Sequence, residues 1–95
     1  GRAVKNFNGE QWQQHSFDIV VQGNMAKFSQ NSQLKDFLLT TGQRILVEAS
    51  PLDTIWGIGL GQDNPKAQHP QTWQGENLLG FALMMTREQL VKLPQ

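Results

Sequence analysis

The sequence predicts a mainly helical domain with one short extended element, which is α+β by strict count. Residues 9–30 carry apolar side chains at spacings of three, four and seven, the pattern of an amphipathic helix. Residues 76–93 are apolar on nearly every side in their first turns, as expected of a largely buried helix. Between them, RILVEA at 44–49 contains the β-branched Ile45 and Val47, which favour extended backbone. The 95 residues are enough for one compact domain.

The first helix is expected to start at Asn8 as N-cap, and Gly23 is its weak point. Its predicted inner stripe consists of Trp12, Phe17, Val20, Val21, Asn24, Met25 and Phe28. A second, short helix is expected to begin after a cap at Ser32 and to end at Gly42.

The segment from Pro51 to Gly75 shows no helical period. Three prolines, Pro51, Pro65 and Pro70, would interrupt a helix there, so we expect a long loop containing glycine and proline. A loop of this length inside a compact domain is typical of a functional segment. The final helix should follow it and end near Pro94.

Composition excludes several classes of protein. Eight basic and eight acidic residues give a net charge of zero, whereas a protein that follows nucleic-acid phosphates is usually basic, so generic nucleic-acid binding is not expected. Cysteine is absent, which removes disulfides, thiol nucleophiles and thiolate zinc sites. No apolar run approaches the roughly 20 residues of a membrane-spanning helix, so no membrane partner is expected. A cytoplasmic location fits this composition.

The stretch VEASPLDTIWGIGLGQDN at 47–64 contains the strongest chemical signals. Glu48 closes the apolar run and Asp53 opens a turn, so both carboxylates are able to face one hollow. The ordinary alternative is that Asp53 caps the turn at Thr54 and Ile55, and that Glu48 pairs with Arg44 or Arg87. Trp56 and Trp73 are suited either to stacking on a ligand or to the core. Asn77 by position is a helix cap.

Three other chemistries are poorly supported. GIGLG is similar to part of a dinucleotide-binding fingerprint, but QDNPKAQHP follows it where that fingerprint needs a helix. His15 and His69 lie far apart and do not have the spacing of metal ligands. Ser50 has no recognisable base nearby in the sequence, which leaves a serine hydrolase without support.

A family resemblance changes this balance. The pattern formed by Glu48, Asp53, Trp56, Gly57 and Gly59, followed by WQGENLLGFALMMTREQL at 73–90, resembles the C-terminal portion of the NADAR family, the YbiA-like N-glycosidases. Trp12, KFSQN at 27–31, LLTTG at 38–42 and LVEAS at 46–50 are also similar to family positions. Family members carry an upstream segment with an S-V-E-H-type motif and a lysine. We therefore expect residues 1–95 to form a single domain lacking that N-terminal part.

The resemblance implies hydrolysis of an N-glycosidic bond to ribose, without a metal or redox cofactor. The substrates it implies are ribosylamino-pyrimidine phosphates of the riboflavin pathway or ADP-ribosyl groups, including those on an ADP-ribosylated macromolecule. The implied catalytic residues are Glu48 and Asp53, and either one can be the base or the stabiliser. The implied substrate-binding residues are Trp12, Trp56, Gly57, Gly59, Trp73 and Asn77.

Two alternatives belong to other classes of protein. The first is a non-catalytic module that binds ADP-ribose or a related nucleotide through Trp56, Trp73 and Asn77. The second is a purely structural half-domain, in which amides would replace Glu48 and Asp53 without loss of binding or activity.

Overall fold

The computed structural model describes the backbone of residues 2–93 and the side-chain surroundings of residues 11–93. Its helices are α1 (Arg2–Gln30), α2 (Ser32–Thr40) and α3 (Leu78–Lys92). Helix α1 packs mainly on α3, and the short α2 contacts both. The prediction of a mainly helical domain is confirmed.

Helix α1 starts earlier than the sequence predicts. Asn8 lies inside the helix, so its predicted role as N-cap is wrong. The preceding residues include Arg2, Ala3 and Lys5, which are good helix formers and allow the helix to extend towards the amino terminus. Gly23 does not end or interrupt α1, and no other group lies within 4 Å of the position its Cβ would take.

Helix α2 is fixed at both ends by side chains. Its N-cap is Asn31 rather than Ser32, because the Asn31 Oδ1 accepts a hydrogen bond of 3.0 Å from the N–H of Leu34. Gly42 follows its C-terminus with φ of +63°, the left-handed conformation that glycine adopts readily, as predicted. The guanidinium of Arg44 lies at this end, 3.3 Å from the carbonyl oxygens of Thr40 and Thr41. Its positive charge complements the negative end of the helix.

Residues 44–50 form no turn, no bend and no β-strand. Of the two forms that the sequence allowed, a buried strand or an extended segment, the strand is not formed, and the segment lies in the predicted place. Ile45 is 61% exposed and Val47 is 42% exposed. A strand needs a neighbouring strand, and within residues 2–93 none is present.

The long loop contains two 3₁₀ turns, Pro65–Gln68 and Pro70–Thr72. Each proline begins a turn instead of interrupting one, since proline fits the first position, where no N–H donor is needed. The indole Nε1 of Trp73 donates a hydrogen bond of 3.0 Å to the carbonyl of Ala67 and ties the end of the loop to the first turn.

The loop also closes on itself through backbone hydrogen bonds. Carbonyl groups of residues 54–58 accept bonds from N–H groups of residues 74–79. The donor and acceptor pairs are Glu76–Thr54, Leu78–Ile55, Leu79–Trp56, Asn77–Gly57 and Gln74–Ile58, at 2.8 to 3.1 Å. Gly75 lies at the centre of this arrangement, where a Cβ would collide with the backbone of Thr54 and of Gly57 and Ile58. The predicted loop is therefore a tightly bonded unit attached to the start of α3.

The core is small. Among the described residues, its buried apolar side chains are Val21, Leu38, Ile58, Leu60, Ala82 and Leu90. Helix α3 is less buried than predicted, because Phe81, Met85 and Val91 remain exposed.

None of the described helices is long and apolar enough to cross a membrane.

Replacement of Gly75 by alanine should destabilise the protein strongly, because the new methyl group would overlap backbone atoms that cannot move independently. We expect Gly75→Ala to lower the free energy of unfolding by about 3 kcal/mol, which corresponds to a melting temperature lower by roughly 10–20 °C in a domain of this size. Gly61→Ala is the matched control, since nothing lies within 4 Å of its Cβ position. Equal melting temperatures for the two variants would contradict the packing described.

Candidate active site

The side chain of Asn77 takes the place of a neighbouring strand beside residues 46–48. Its Nδ2 donates a hydrogen bond of 3.0 Å to the carbonyl of Leu46, and its Oδ1 accepts one of 2.9 Å from the N–H of Glu48. A primary amide offers one donor group and one acceptor, as a peptide group does. The amide thereby fixes the backbone from which the Glu48 carboxylate extends.

This pair of hydrogen bonds requires a left-handed backbone at Asn77 and a residue without a side chain at position 80. Asn77 has φ of 55° and ψ of 40°, a left-handed conformation that asparagine tolerates better than most residues. Gly80 lies one helical turn later, where a Cβ would collide with the carbonyl of Leu46 and with the Asn77 amide. Asn77 is 0% exposed, so its amide is not available to a ligand. The predicted substrate-binding role of Asn77 is corrected to a positioning role.

The Glu48 carboxylate has no hydrogen-bond or ion-pair partner among the described side chains and backbone. Neither Arg44 nor Arg87 pairs with it, because Arg44 caps α2 and the Arg87 Nη1 donates to the Thr41 hydroxyl at 2.7 Å. The Glu48 carbonyl, in contrast, accepts bonds from the N–H groups of Ser50 and Ile58 at 3.1 and 2.9 Å. The residue is half-buried, with its backbone held and its carboxylate uncommitted within that part of the chain.

Asp53 is bound by its own turn. Its Oδ1 accepts hydrogen bonds from the N–H of Trp56 at 2.8 Å and from the N–H of Ile55 at 3.0 Å. These bonds, above all the one from Trp56, hold the pKa of the Asp53 carboxyl below its ordinary value of 3.8. The carboxylate is therefore ionised at neutral pH. The turn-capping alternative is present in the structure, shifted by one residue from the predicted positions.

Gly57 brings the two acidic residues together through their backbones. A Cβ on Gly57 would lie 2.8 Å from the carbonyl oxygen of Glu48 and 2.9 Å from that of Asp53. Gly59 has φ of +72° and rests against the backbone of Gln74. At both glycines, the space that a side chain would need is filled by the protein's own backbone. That a ligand approaches these glycines stays a prediction.

The three tryptophans lie in different surroundings. Trp73 is half-buried and lines an open groove of about 250 Å³ together with Ile45, Val47 and Ala49. Trp56 is half-buried within the loop. Trp12 is 67% exposed on α1, where its ring centroid lies 6.3 Å from that of His15. Of the predicted aromatic contacts, Trp73 is the one beside the segment that carries Glu48.

Gly75 and Gly80 are structural determinants that were not predicted from the sequence. Each of these glycines lies among large side chains in the sequence, in WQGEN and in LLGFA. A glycine in such a context indicates that another part of the backbone lies close to it. Within the described residues, no group of three or more acidic, histidine or cysteine side chains is placed to hold a metal ion.

The fold and site define a small helical domain in which the backbone carbonyls of two acidic residues, Glu48 and Asp53, pack against Gly57 of a long loop. A sequence model of the NADAR domain matches residues 1–91. The chain belongs to the NADAR family.

Relatives of this chain include proteins named as enzymes. N-glycosidase R617 of Acanthamoeba polyphaga mimivirus is 52% identical over 89 residues, which cover 94% of this chain and 52% of the relative. N-glycosidase YbiA of Shigella boydii is 35% identical over 79 residues, covering 83% of this chain and 42% of the relative. Riboflavin biosynthesis protein PYRR of Zea mays is 32% identical over 80 residues, covering 84% of this chain and 11% of the relative. The chain thus spans about half the length, or less, of these relatives.

Loss of the Asn77 amide should destabilise the fold. Asn77→Ala leaves the Leu46 carbonyl and the Glu48 N–H without partners, and we expect a free energy of unfolding lower by roughly 2–4 kcal/mol. Asn77→Gly loses the same bonds but tolerates positive φ, so it should be about 1 kcal/mol more stable than Asn77→Ala. Urea denaturation of the two variants measures both differences. Wild-type stability in Asn77→Ala would contradict the bridging role.

The stabilising effect of Asp53 should disappear in acid. Because the folded-state pKa is lowered, the stabilisation is complete above the ordinary value of 3.8 and is lost as the pH falls through that value towards the folded pKa. Asp53→Asn keeps an oxygen for the Ile55 and Trp56 bonds but has no such titration. The stability difference between wild type and Asp53→Asn should therefore shrink between about pH 5 and pH 3 in urea denaturation. A difference that is constant across this range would contradict the assignment.

Proposed function

We propose that the chain hydrolyses the N-glycosidic bond of a ribosyl compound. The observation that carries the proposal is the placement of Glu48 and Asp53 around Gly57, with one carboxylate tied to its own turn and the other uncommitted within the described residues. The relatives named N-glycosidases support the same chemistry. We also propose that residues 1–95 fold as a single unit of the family domain.

In this reaction, the bond between ribose C1′ and nitrogen breaks, the nitrogen leaves with a proton, and water adds to C1′. Positive charge develops on the sugar as the bond breaks, as in other glycoside hydrolyses. Asp53 suits the stabilisation of that charge. Its hydrogen bonds from Trp56 and Ile55 keep it ionised and therefore make it a poor proton acceptor.

Glu48 is the better candidate for the group that orients and deprotonates water. A general base needs an oxygen able to reach the water, and no described group occupies the Glu48 carboxylate. Asn77 contributes indirectly by fixing the Glu48 backbone.

Trp73 is the proposed contact for the substrate's base. Its groove, about 250 Å³ in volume, suits a single aromatic ring held against the indole. A ribosylamino-pyrimidine phosphate is the first substrate that we propose, since one relative is named as a riboflavin biosynthesis protein. An ADP-ribosyl group linked through nitrogen to a macromolecule is the second substrate class. A cytoplasmic location goes with either substrate.

A second candidate function is nucleotide binding without catalysis. It is favoured by the occupation of the Asp53 Oδ1 by the loop itself, which is the arrangement of a structural cap. Binding would then depend on the Trp73 groove, and Glu48 would be dispensable.

A mass-spectrometric assay separates these functions. The 95-residue chain is incubated with a ribosylamino-pyrimidine phosphate as the substrate and, separately, with ADP-ribose as a ligand for binding, and the mimivirus relative serves as the positive control. Release of free base and ribose phosphate above the buffer rate supports the N-glycosidase. Saturable binding without release supports the second candidate. Absence of both overturns the proposal.

Removal of either charge should reduce turnover while leaving the fold intact. We expect Glu48→Gln to lower kcat by about a hundredfold or more, the usual scale for loss of a general base. Asp53→Asn keeps the capping oxygen, so a lower kcat in that variant reports loss of charge rather than of the turn. Circular dichroism checks folding, and Glu88→Gln on the exposed face of α3 is the control. Full activity in both site variants would exclude the proposed mechanism.

A further inference from the structure

The extended segment 44–49 has an unpaired edge. Its inward edge is occupied, because the Leu46 carbonyl and the Glu48 N–H bind Asn77 and the Glu48 carbonyl binds Ile58. In extended backbone, successive residues direct their N–H and C=O groups to opposite sides. The backbone groups of Ile45 and Val47 therefore face outward, and they bind no other described residue.

The side chains alternate in the same way. Ile45, Val47 and Ala49 line the Trp73 groove, which places Arg44, Leu46 and Glu48 on the opposite face of the segment. An exposed edge with β-branched residues readily pairs with another strand. Neither proline nor lysine occurs within residues 44–49, so this edge lacks two common protecting features.

We propose that a second copy of this chain pairs with this edge in antiparallel orientation, centred on Leu46. In that register, Ile45 lies opposite Val47 of the second copy, and Val47 lies opposite its Ile45. Both become hydrogen-bonded pairs, which gives four bonds between the copies from the groups that face outward. A shift by one residue would instead call on the groups of Leu46 and Glu48 that are already bound within each copy.

The charges of Arg44 and Glu48 also favour the register centred on Leu46. Arg44 lies opposite Glu48 of the second copy, and two-fold symmetry repeats the pair. Shifts by two residues would place Arg44 opposite Leu46 or Ser50, where it finds no charge. Arg44 uses Nε and Nη2 at the end of α2, which leaves Nη1 for the opposing carboxylate. The contact is short, so the dimer is weak and its population depends on concentration.

A charge exchange tests the pairing. Sedimentation equilibrium of the wild type over about 10 µM to 1 mM should show the average mass rising from 10.7 kDa towards twice that value. Arg44→Glu and Glu48→Arg each place like charges opposite one another, and each should weaken dimerisation by about tenfold. An equimolar mixture of the two variants restores both opposite-charge pairs and should dimerise like wild type. The double variant Arg44→Glu/Glu48→Arg should do the same.

Lys66→Glu, an exposed change of equal size outside the segment, is the control and should dimerise like wild type. A wild type that stays monomeric at the highest concentration overturns the proposal. So does dimerisation that both single variants leave unchanged, or a mixture that shows no recovery. Since recovery occurs on mixing, it cannot arise from a general effect of either substitution on folding.

A disulfide tests the register independently. The chain has no cysteine, so Leu46→Cys introduces a single thiol at the proposed two-fold axis. There the two Cα atoms are expected about 4.5 Å apart, within the range that a disulfide spans. In the matched variant Ile45→Cys they are expected about 9 Å apart. Under mild oxidation, Leu46→Cys should form covalent dimer at least tenfold faster than Ile45→Cys, and equal rates would exclude this register.

Discussion

The arrangement of this domain depends on one buried carboxamide. The Asn77 side chain joins the start of α3 to the backbone of residues 46–48, and its two bonds connect residues that are 29 and 31 positions apart in the sequence. Buried polar groups are costly unless they are paired, and here each satisfies the other. The absence of a side chain at Gly80 is what allows the segment to lie close enough for both bonds. The position of Glu48 follows from this contact rather than from any property of its own side chain.

Pairing of backbone groups also holds the long loop in place against the start of α3. The first N–H groups of α3, those of Leu78 and Leu79, donate to the carbonyls of Ile55 and Trp56. Free N–H groups at the start of a helix are a common anion site, but these are occupied by the protein. If a substrate phosphate is recognised by this domain, side chains or other backbone groups must do it. The start of α3 instead serves to hold the turn from which Asp53 extends.

The helices follow from local sequence, and for that reason they could be predicted. Spacing of apolar residues predicted α1, cap and stop residues predicted α2, and a nearly continuous apolar run predicted α3. The permissive backbone of Gly42 predicted the end of α2. The start of α1 was missed because good helix formers precede Asn8, and the exposure of α3 was missed because it depends on which faces find a partner. The extended segment was placed correctly but not as a strand, since its partner is a side chain on a distant helix.

In the site, too, features set by local sequence were predicted and features set by distant contacts were not. A short-range rule anticipated that Asp53 would bind nearby N–H groups, and the structure contains such bonds. The roles of Gly57, Gly59 and Asn77 were assigned to a ligand, whereas they serve contacts between distant parts of the chain. A sequence motif records that a small or amide residue is needed, but it does not record whether the neighbour is a substrate or the protein itself.

The separation of the Asn77 contacts also affects how the chain folds. Helices form from local contacts, usually within about a microsecond for an isolated helix of this size. The bonds from Asn77 to residues 46–48 instead require a loop of about thirty residues to close, and the order of that loop arises only when it docks on α3. Proteins rich in such distant contacts fold more slowly than helical bundles of equal length. Closure of this loop, rather than formation of the three helices, is therefore the step expected to set the rate at which Asn77 reaches the backbone of residues 46–48.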